Sequence, residues 1–190
     1  MRKDQLRKVY KLKRQSLGLD ELAALNGQIF QLLKQLDWNA YEYVHVYLPL
    51  IKFNEPDTRR LIAWLSESHP HINLVISKSD FQQGEMQHYL LDAHTKLVEN
   101  KWGILEPITG QLLDEKLIDL VLVPLLVVDK QGNRVGYGKG FYDRFLSKCR
   151  KDVKTCGICF FEPVDTISDV GPWDISLQAC ITPNGLYQFS

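Results

Sequence analysis

Leu6, Tyr10 and Leu17 recur at helical spacing over residues 3–17, and Lys3, Arg7 and Arg14 follow the same period on an adjoining arc, with Lys11 beside them. This pattern predicts a first amphipathic helix. A second, over about 21–36, turns Leu22, Leu25, Ile29, Leu32, Leu33 and Leu36 inward, with Asp20 as its cap. Residues 43–48 alternate as a strand that Pro49 stops, and Thr58 opens a helix to about Ser68. Two further strands are expected over 72–77 and 86–91, and irregular structure around 102–107. The most apolar run, 117–129, ends in the turn-prone Asp129-Lys-Gln-Gly-Asn133 and reads as a buried strand. After three glycines, Phe141, Phe145 and Leu146 predict a helix to about Cys149. A strand over 153–161, an acid-rich loop over 165–174 and a short strand over 180–182 complete the chain. No repeat or linker divides it, so one domain over 1–190 is expected.

Composition narrows the class. A chain of 190 residues can bury a sizeable core, and 45% hydrophobic with 24% charged residues is ordinary for a globular protein. Zero net charge gives no overall pull toward nucleic acid. No apolar run reaches transmembrane length and the first residues lack a signal peptide's apolar core, so a cytoplasmic protein is expected. Cys156 and Cys159 form a C-x-x-C, but the surrounding segment reads as a strand, where residues three apart face opposite ways. With no second such pair and no spaced histidines, buried free thiols are expected, together with Cys149 and Cys180.

Candidate chemistry concentrates between Gly132 and Leu146. Gly136, Gly138 and Gly140 alternate between a strand and a helix start; such glycines allow positive φ and close backbone approach to a ligand. Free N–H groups at the helix start favour an anion, and Arg134, Lys139 and Arg144 add charge-assisted donors suited to a polyphosphate. The segment is not a P-loop, since Asn133 replaces the first glycine and Gly140 the Ser/Thr. It is one residue short of a dinucleotide fingerprint. Seven of the first fifteen residues are basic against the single acid Asp4, so the first helix either presents a solvated face or folds back onto a phosphate. Glu55, past a strand's end, is open to three roles: a solvated carboxylate, a partner of Asp57 in capping a helix, or a substrate contact. Trp102 is either a hydrophobic plug or a flat face for an aromatic ligand.

Residues 133–144, Asn-Arg-Val-Gly-Tyr-Gly-Lys-Gly-Phe-Tyr-Asp-Arg, closely resemble the signature of the 5-formyltetrahydrofolate cyclo-ligases. Lys3-Asp-Gln-Leu-Arg7, Glu55-Pro-Asp-Thr58, Trp102-Gly-Ile-Leu-Glu-Pro107 and the ending from Asp174 to Thr182 agree in the same order, so the resemblance spans essentially the whole chain. It implies a single three-layer α/β domain: a mostly parallel sheet with helices on both faces. It also implies a reaction in which ATP, with Mg²⁺, converts 5-formyltetrahydrofolate to 5,10-methenyltetrahydrofolate, ADP and phosphate. The formyl oxygen would be phosphorylated first, and N10 would then close the ring.

By the same resemblance, two segments would bind ATP: Lys3, Asp4, Gln5, Leu6 and Arg7; and Arg134, Val135, Gly136, Tyr137, Gly138, Lys139, Gly140, Phe141 and Tyr142. Arg134, Lys139 and Tyr142 would act in catalysis. Leu50 and Glu55 match folate-contacting positions, Trp102 an aromatic position near the pterin, and Asp143 and Asp174 would hold Mg²⁺. Phe141 departs from a usual tyrosine, Gln178 from a frequent acid, and Lys139 stands where many members have glycine. The implied partner is the folate, with or without a polyglutamate tail; a monomer is expected, with no nucleic acid or membrane. Other uses of such a glycine loop, as in sugar-phosphate isomerases and CoA-transferase-like proteins, and RNA binding through the basic helix, are the competing readings.

Overall fold

In the computed structural model, which describes residues 1–100 and 103–189, the apolar run after residue 117 becomes strand β7 (Leu120–Pro124), with residues 120–123 all buried. A strand covered on both faces belongs inside a parallel sheet. On one side β7 pairs in parallel with β1 (Tyr43–His45), which pairs with β2 (Asn73–Asp80). On the other it pairs in parallel with β10 (Lys154–Ile158), which pairs with β11 (Ala179–Thr182). Antiparallel strands close the edges: β12 (Gly185–Gln188) beside β11, and β3 (Glu85–Leu90) then β6 (Leu112–Leu113) beyond β2. From β1 the chain steps outward to β2, and from β7 it steps the other way to β10. The crevice at the carboxyl ends of β1 and β7 is therefore the topological switch point, where open α/β sheets take ligands.

Helices cover both faces, as expected. Helices α2 (Leu19–Leu33) and α3 (Arg59–Ser68) bring Ile29, Phe30, Leu33, Leu61 and Leu65 onto Val44, Val46, Leu74 and Leu122. On the other face Phe145 and Leu146 of α4 (Phe141–Lys148) pack on Val75, Val121 and Val123. Helix α1 (Lys3–Gln15) buries Leu6 and Tyr10 against Leu126, Val127 and Val135, which ties it to the glycine segment instead of the sheet centre.

Several expectations need correction. The run 117–129 is not one strand. It ends at Pro124, and β8 (Val127–Val128) then turns back antiparallel to β9 (Arg134–Val135), a small hairpin that carries the glycine loop. Asp20 does not cap α2: the helix begins at Leu19 with Gly18 before it, leaving Asp20 in the first turn, where its charge suits the helix dipole. Residues 105–107, expected to be irregular, lie within a hairpin, β4 (Lys96–Glu99) with β5 (Leu105–Thr109). Its largely exposed residues carry no clear alternation, which is why the pattern failed there. Strand β12, also unexpected, is an exposed edge. All four cysteines are free, and burial pushes the Cys156 and Cys159 thiols up to about 12.

Candidate active site

A cavity of about 820 Å³ opens at the switch point. Its floor is made by residues at or just past strand ends: His45, Tyr47 and Leu48 after β1, Ser77 and Ser79 of β2, and Pro124 of β7. One wall is the glycine segment from Gly136 to Asp143, faced by Lys3 and Arg7 of α1. Phe81, whose ring packs edge-on against Phe141 at 5.3 Å, also lines the cavity, with Met86, Ile104, Leu105 and Glu106. One cavity thus combines cationic and glycine-rich lining with apolar and aromatic lining, in the size range of small-molecule sites.

Backbone geometry explains two of the three alternating glycines; Gly136 has no positive φ, and a Cβ there would meet open space. Gly138 and Gly140 have φ of 85° and 69°, in the left-handed region that favours glycine. A Cβ on Gly138 would stand 2.9 Å from Arg7 Cζ, so an alanine there would push the Arg7 guanidinium aside. Arg7 Nε donates to Gly136 O at 2.9 Å, and Lys3 is ion-paired with Asp174. The basic stripe therefore folds back onto the loop; it is not a solvated face.

The stripe's third member, Arg14, is 2% exposed. It donates to the Tyr137 hydroxyl and to Leu125 O, and Tyr137 in turn lies close to Glu55. Glu55 is buried and accepts from Leu50 N at 2.8 Å. Burial raises its carboxyl above the usual range, opposed by the Leu50 amide, the Arg14 charge and the Tyr137 hydroxyl. Arg14 was legible as part of the stripe, but a buried role under Tyr137 was not foreseen.

Arg134 is almost wholly covered. Its guanidinium donates to Asp143 at 2.7 Å and to Ile175 O. Burial pulls its pKa down, while Asp143 and Asp174 oppose that. Asp143 lies in the first turn of α4, yet its Oδ1 serves Arg134 and Ile175 N instead of the helix's own amides. Tyr142 is half-buried, and burial together with the Glu55 charge pushes its phenol up, so it remains a donor at neutral pH. Lys139 is exposed at the rim, where its carbonyl accepts from Arg144.

Some expected residues are placed elsewhere. Leu6 and Val135 are buried in the small core beneath the loop, and Asp4 and Gln5 are exposed; none of the four lines the cavity. Gln178 donates to Val153 O, turned to the strand beside it. Trp102 lies outside the described residues.

Asp143 and Asp174 both line the cavity, and each keeps one oxygen without a hydrogen bond among the described residues: Oδ2 of Asp143 and Oδ1 of Asp174. Among the described residues no group of three acids, histidines or cysteines forms a metal cage. A pair of carboxylate oxygens beside a glycine-rich loop would suit Mg²⁺, which keeps most of its positions for phosphate and water.

Sheet, switch-point cavity and glycine loop define an α/β protein built to hold an anionic ligand beside an aromatic one. The sequence profile of the 5-formyltetrahydrofolate cyclo-ligase family matches residues 1–183, and the chain belongs to that family. It is 28% identical to a probable 5-formyltetrahydrofolate cyclo-ligase of Schizosaccharomyces pombe, across 96% of each chain. It is also 28% identical to the 5-formyltetrahydrofolate cyclo-ligase of Escherichia coli, over 76% of this chain and 81% of that one. The solved 5,10-methenyltetrahydrofolate synthetase of Aquifex aeolicus superposes with a TM-score of 0.84 at 26% identity, covering 99% of this chain and 93% of the other.

Proposed function

We propose that this protein catalyses the ATP- and Mg²⁺-dependent cyclisation of 5-formyltetrahydrofolate to 5,10-methenyltetrahydrofolate, releasing ADP and phosphate. The observation that carries this reading is one cavity lined by Lys3, Arg7 and the glycine loop together with Phe53, Phe81, Met86, Ile104 and Leu105. Both substrates of such a reaction must meet in one water-poor space. The formyl oxygen is a poor leaving group; it attacks the γ-phosphate, ADP departs, N10 closes the ring and phosphate leaves. Phosphoryl transfer of this kind rests on positioning and charge stabilisation.

In this reading the loop amides and Arg7 hold phosphates, and Lys139, free to move at the rim, follows the transferred group. Arg134 contributes its charge at short range and holds Asp143 and the chain at Ile175 in place. Tyr142 donates a hydrogen bond, and Leu50 and Glu55 face the folate. Asp143 and Asp174 would hold Mg²⁺, which neutralises phosphate charge when bound. The same reading makes the protein a cytoplasmic enzyme of one-carbon metabolism whose partners are small molecules. Among the described residues no helix is long and apolar enough to cross a membrane.

The test follows the rise of methenyltetrahydrofolate absorbance from 5-formyltetrahydrofolate. Product is expected only with both ATP and Mg²⁺ present. Product formed without nucleotide, or none with it, overturns the assignment.

A further inference from the structure

On β2 alternate side chains point the same way, and Ser77, Ser79 and, just past the strand, Phe81 all line the cavity. Ser77 is special among them. Its Oγ stands 2.8 Å from His45 Nε2 and 2.9 Å from His88 Nδ1. His88 is directly opposite Ser77 in the β2·β3 register, and His45 lies on the neighbouring strand β1. Both imidazoles are buried, whereas Ser77 is half-buried at the cavity. Phe145 packs on both rings, at 5.0 Å from His45 and 4.1 Å from His88. Two histidines and a serine wired together beneath a ligand cavity have no part in the phosphate and metal chemistry described above.

Hydrogen-bond counting gives the chain a direction. His45 Nδ1 is buried and has no hydrogen-bond partner among the described residues. A neutral imidazole carries one ring proton, so with Ser77 donating to His88 the proton of His45 sits on Nε2 and is donated to Ser77 Oγ. The Ser77 hydroxyl then donates to His88 Nδ1, and one lone pair on Ser77 Oγ remains for the cavity. Burial keeps both rings neutral: His45 is held well below its ordinary range, and His88 is lowered to about 4, with the Lys148 charge of α4 adding to the effect. The groups facing them are Lys148, itself paired with Glu85, and the Tyr142 ring.

We propose that Ser77 and His88 take up the proton that N10 of the folate loses at ring closure, with His45 holding Ser77 in place. The inference rests on the reaction proposed above. N10 bonds to the formyl carbon; its N–H bond then breaks, and the electron pair stays on nitrogen. The proton passes to Ser77 Oγ as the hydroxyl proton passes to His88 Nδ1. Phosphate departs with the carbon–oxygen bonding pair, leaving the methenyl cation, and His88 returns its proton through Ser77 to the phosphate. An aryl amine that has just formed a fourth bond is a far stronger acid than an ordinary imidazolium. A histidine held below its usual range is therefore basic enough, and it stays unprotonated at neutral pH.

Phosphorylation of the formyl oxygen does not need this proton acceptor, so the two halves of the reaction separate its role from a merely structural one. In rapid-quench experiments with ATP, Mg²⁺ and 5-formyltetrahydrofolate, Ser77→Ala is expected to form first-turnover ADP at the wild-type rate. Methenyl formation should slow about a hundredfold, and ADP made per methenyl should rise above one as the stalled intermediate hydrolyses. His88→Gln, which still accepts from Ser77 but cannot take a proton, should behave alike. Methenyl formation at the wild-type rate in both variants, or equal slowing of both halves, overturns the proton role. Absence of turnover by the wild-type chain overturns the underlying reaction instead.

Discussion

Asp143 serves two masters at the residue scale. Its Oδ1 neutralises the buried Arg134, while its other oxygen faces a cavity expected to hold phosphate. A bare carboxylate beside ATP would repel it unless a cation intervened. Asp143→Asn keeps a hydrogen-bond acceptor for Arg134 but removes the charge. It should cut kcat steeply and raise the Mg²⁺ concentration needed for half-maximal rate. Because the ion pair is largely covered on the Arg134 side and 28% exposed on the Asp143 side, a stability loss of about 1–2 kcal/mol should accompany it. A lower melting temperature with an unchanged Mg²⁺ requirement would mean that Asp143 serves Arg134 alone.

Helix α1 is the element whose placement matters most. Leu6 and Tyr10 anchor one stripe in a small core with the β8–β9 hairpin, and this carries Lys3, Arg7 and Arg14 to the glycine loop. Arg7→Ala removes a charge-assisted donor, worth about 1.5–3 kcal/mol in such settings. It should raise the KM for ATP about tenfold or more while leaving that for the folate nearly unchanged. Circular dichroism should show the helix intact, since Leu6 and Tyr10 remain. Gly138→Ala acts on the same contact from the other side, through strain at φ 85° and displacement of Arg7. Its kinetic profile should mirror that of Arg7→Ala; a folate-specific defect would move the nucleotide away from this helix.

The whole molecule feels the two buried histidines between β1 and β3. His88 titrates at about 4 in the folded protein against 6.5 when exposed, chiefly through burial. Between those values the unfolded chain binds more protons than the folded one, so stability rises with pH and falls as pH drops. From pH 7.5 to pH 5, His88 alone should cost about 2 kcal/mol, with His45 adding in the same direction. Thermal melts should show this decline, and His88→Gln should flatten it; an equally steep decline in the variant would place the titrating group elsewhere.

Much of this architecture was written in local pattern. Period-3.6 stripes marked α1, α2 and α4, and the apolar run at 120–123 marked the central strand, because a residue's burial is set by the face on which its element turns it. Gly138 and Gly140 announced a backbone needing positive φ, which is a property of the residue itself; Gly136 did not follow. Exposed edges such as β12 and the β4–β5 hairpin were invisible, since a strand that buries little leaves no period to read. What only the tertiary structure decided is which side chains meet. That Arg14 would lie under Tyr137 and Glu55, that Arg134 would be spent partly on Asp143, and that His45, Ser77 and His88 would join into one chain all depend on strand order and register. Those contacts join residues up to 123 positions apart, and no local spacing encodes them; they exist because the sheet brings distant strand ends to one crevice.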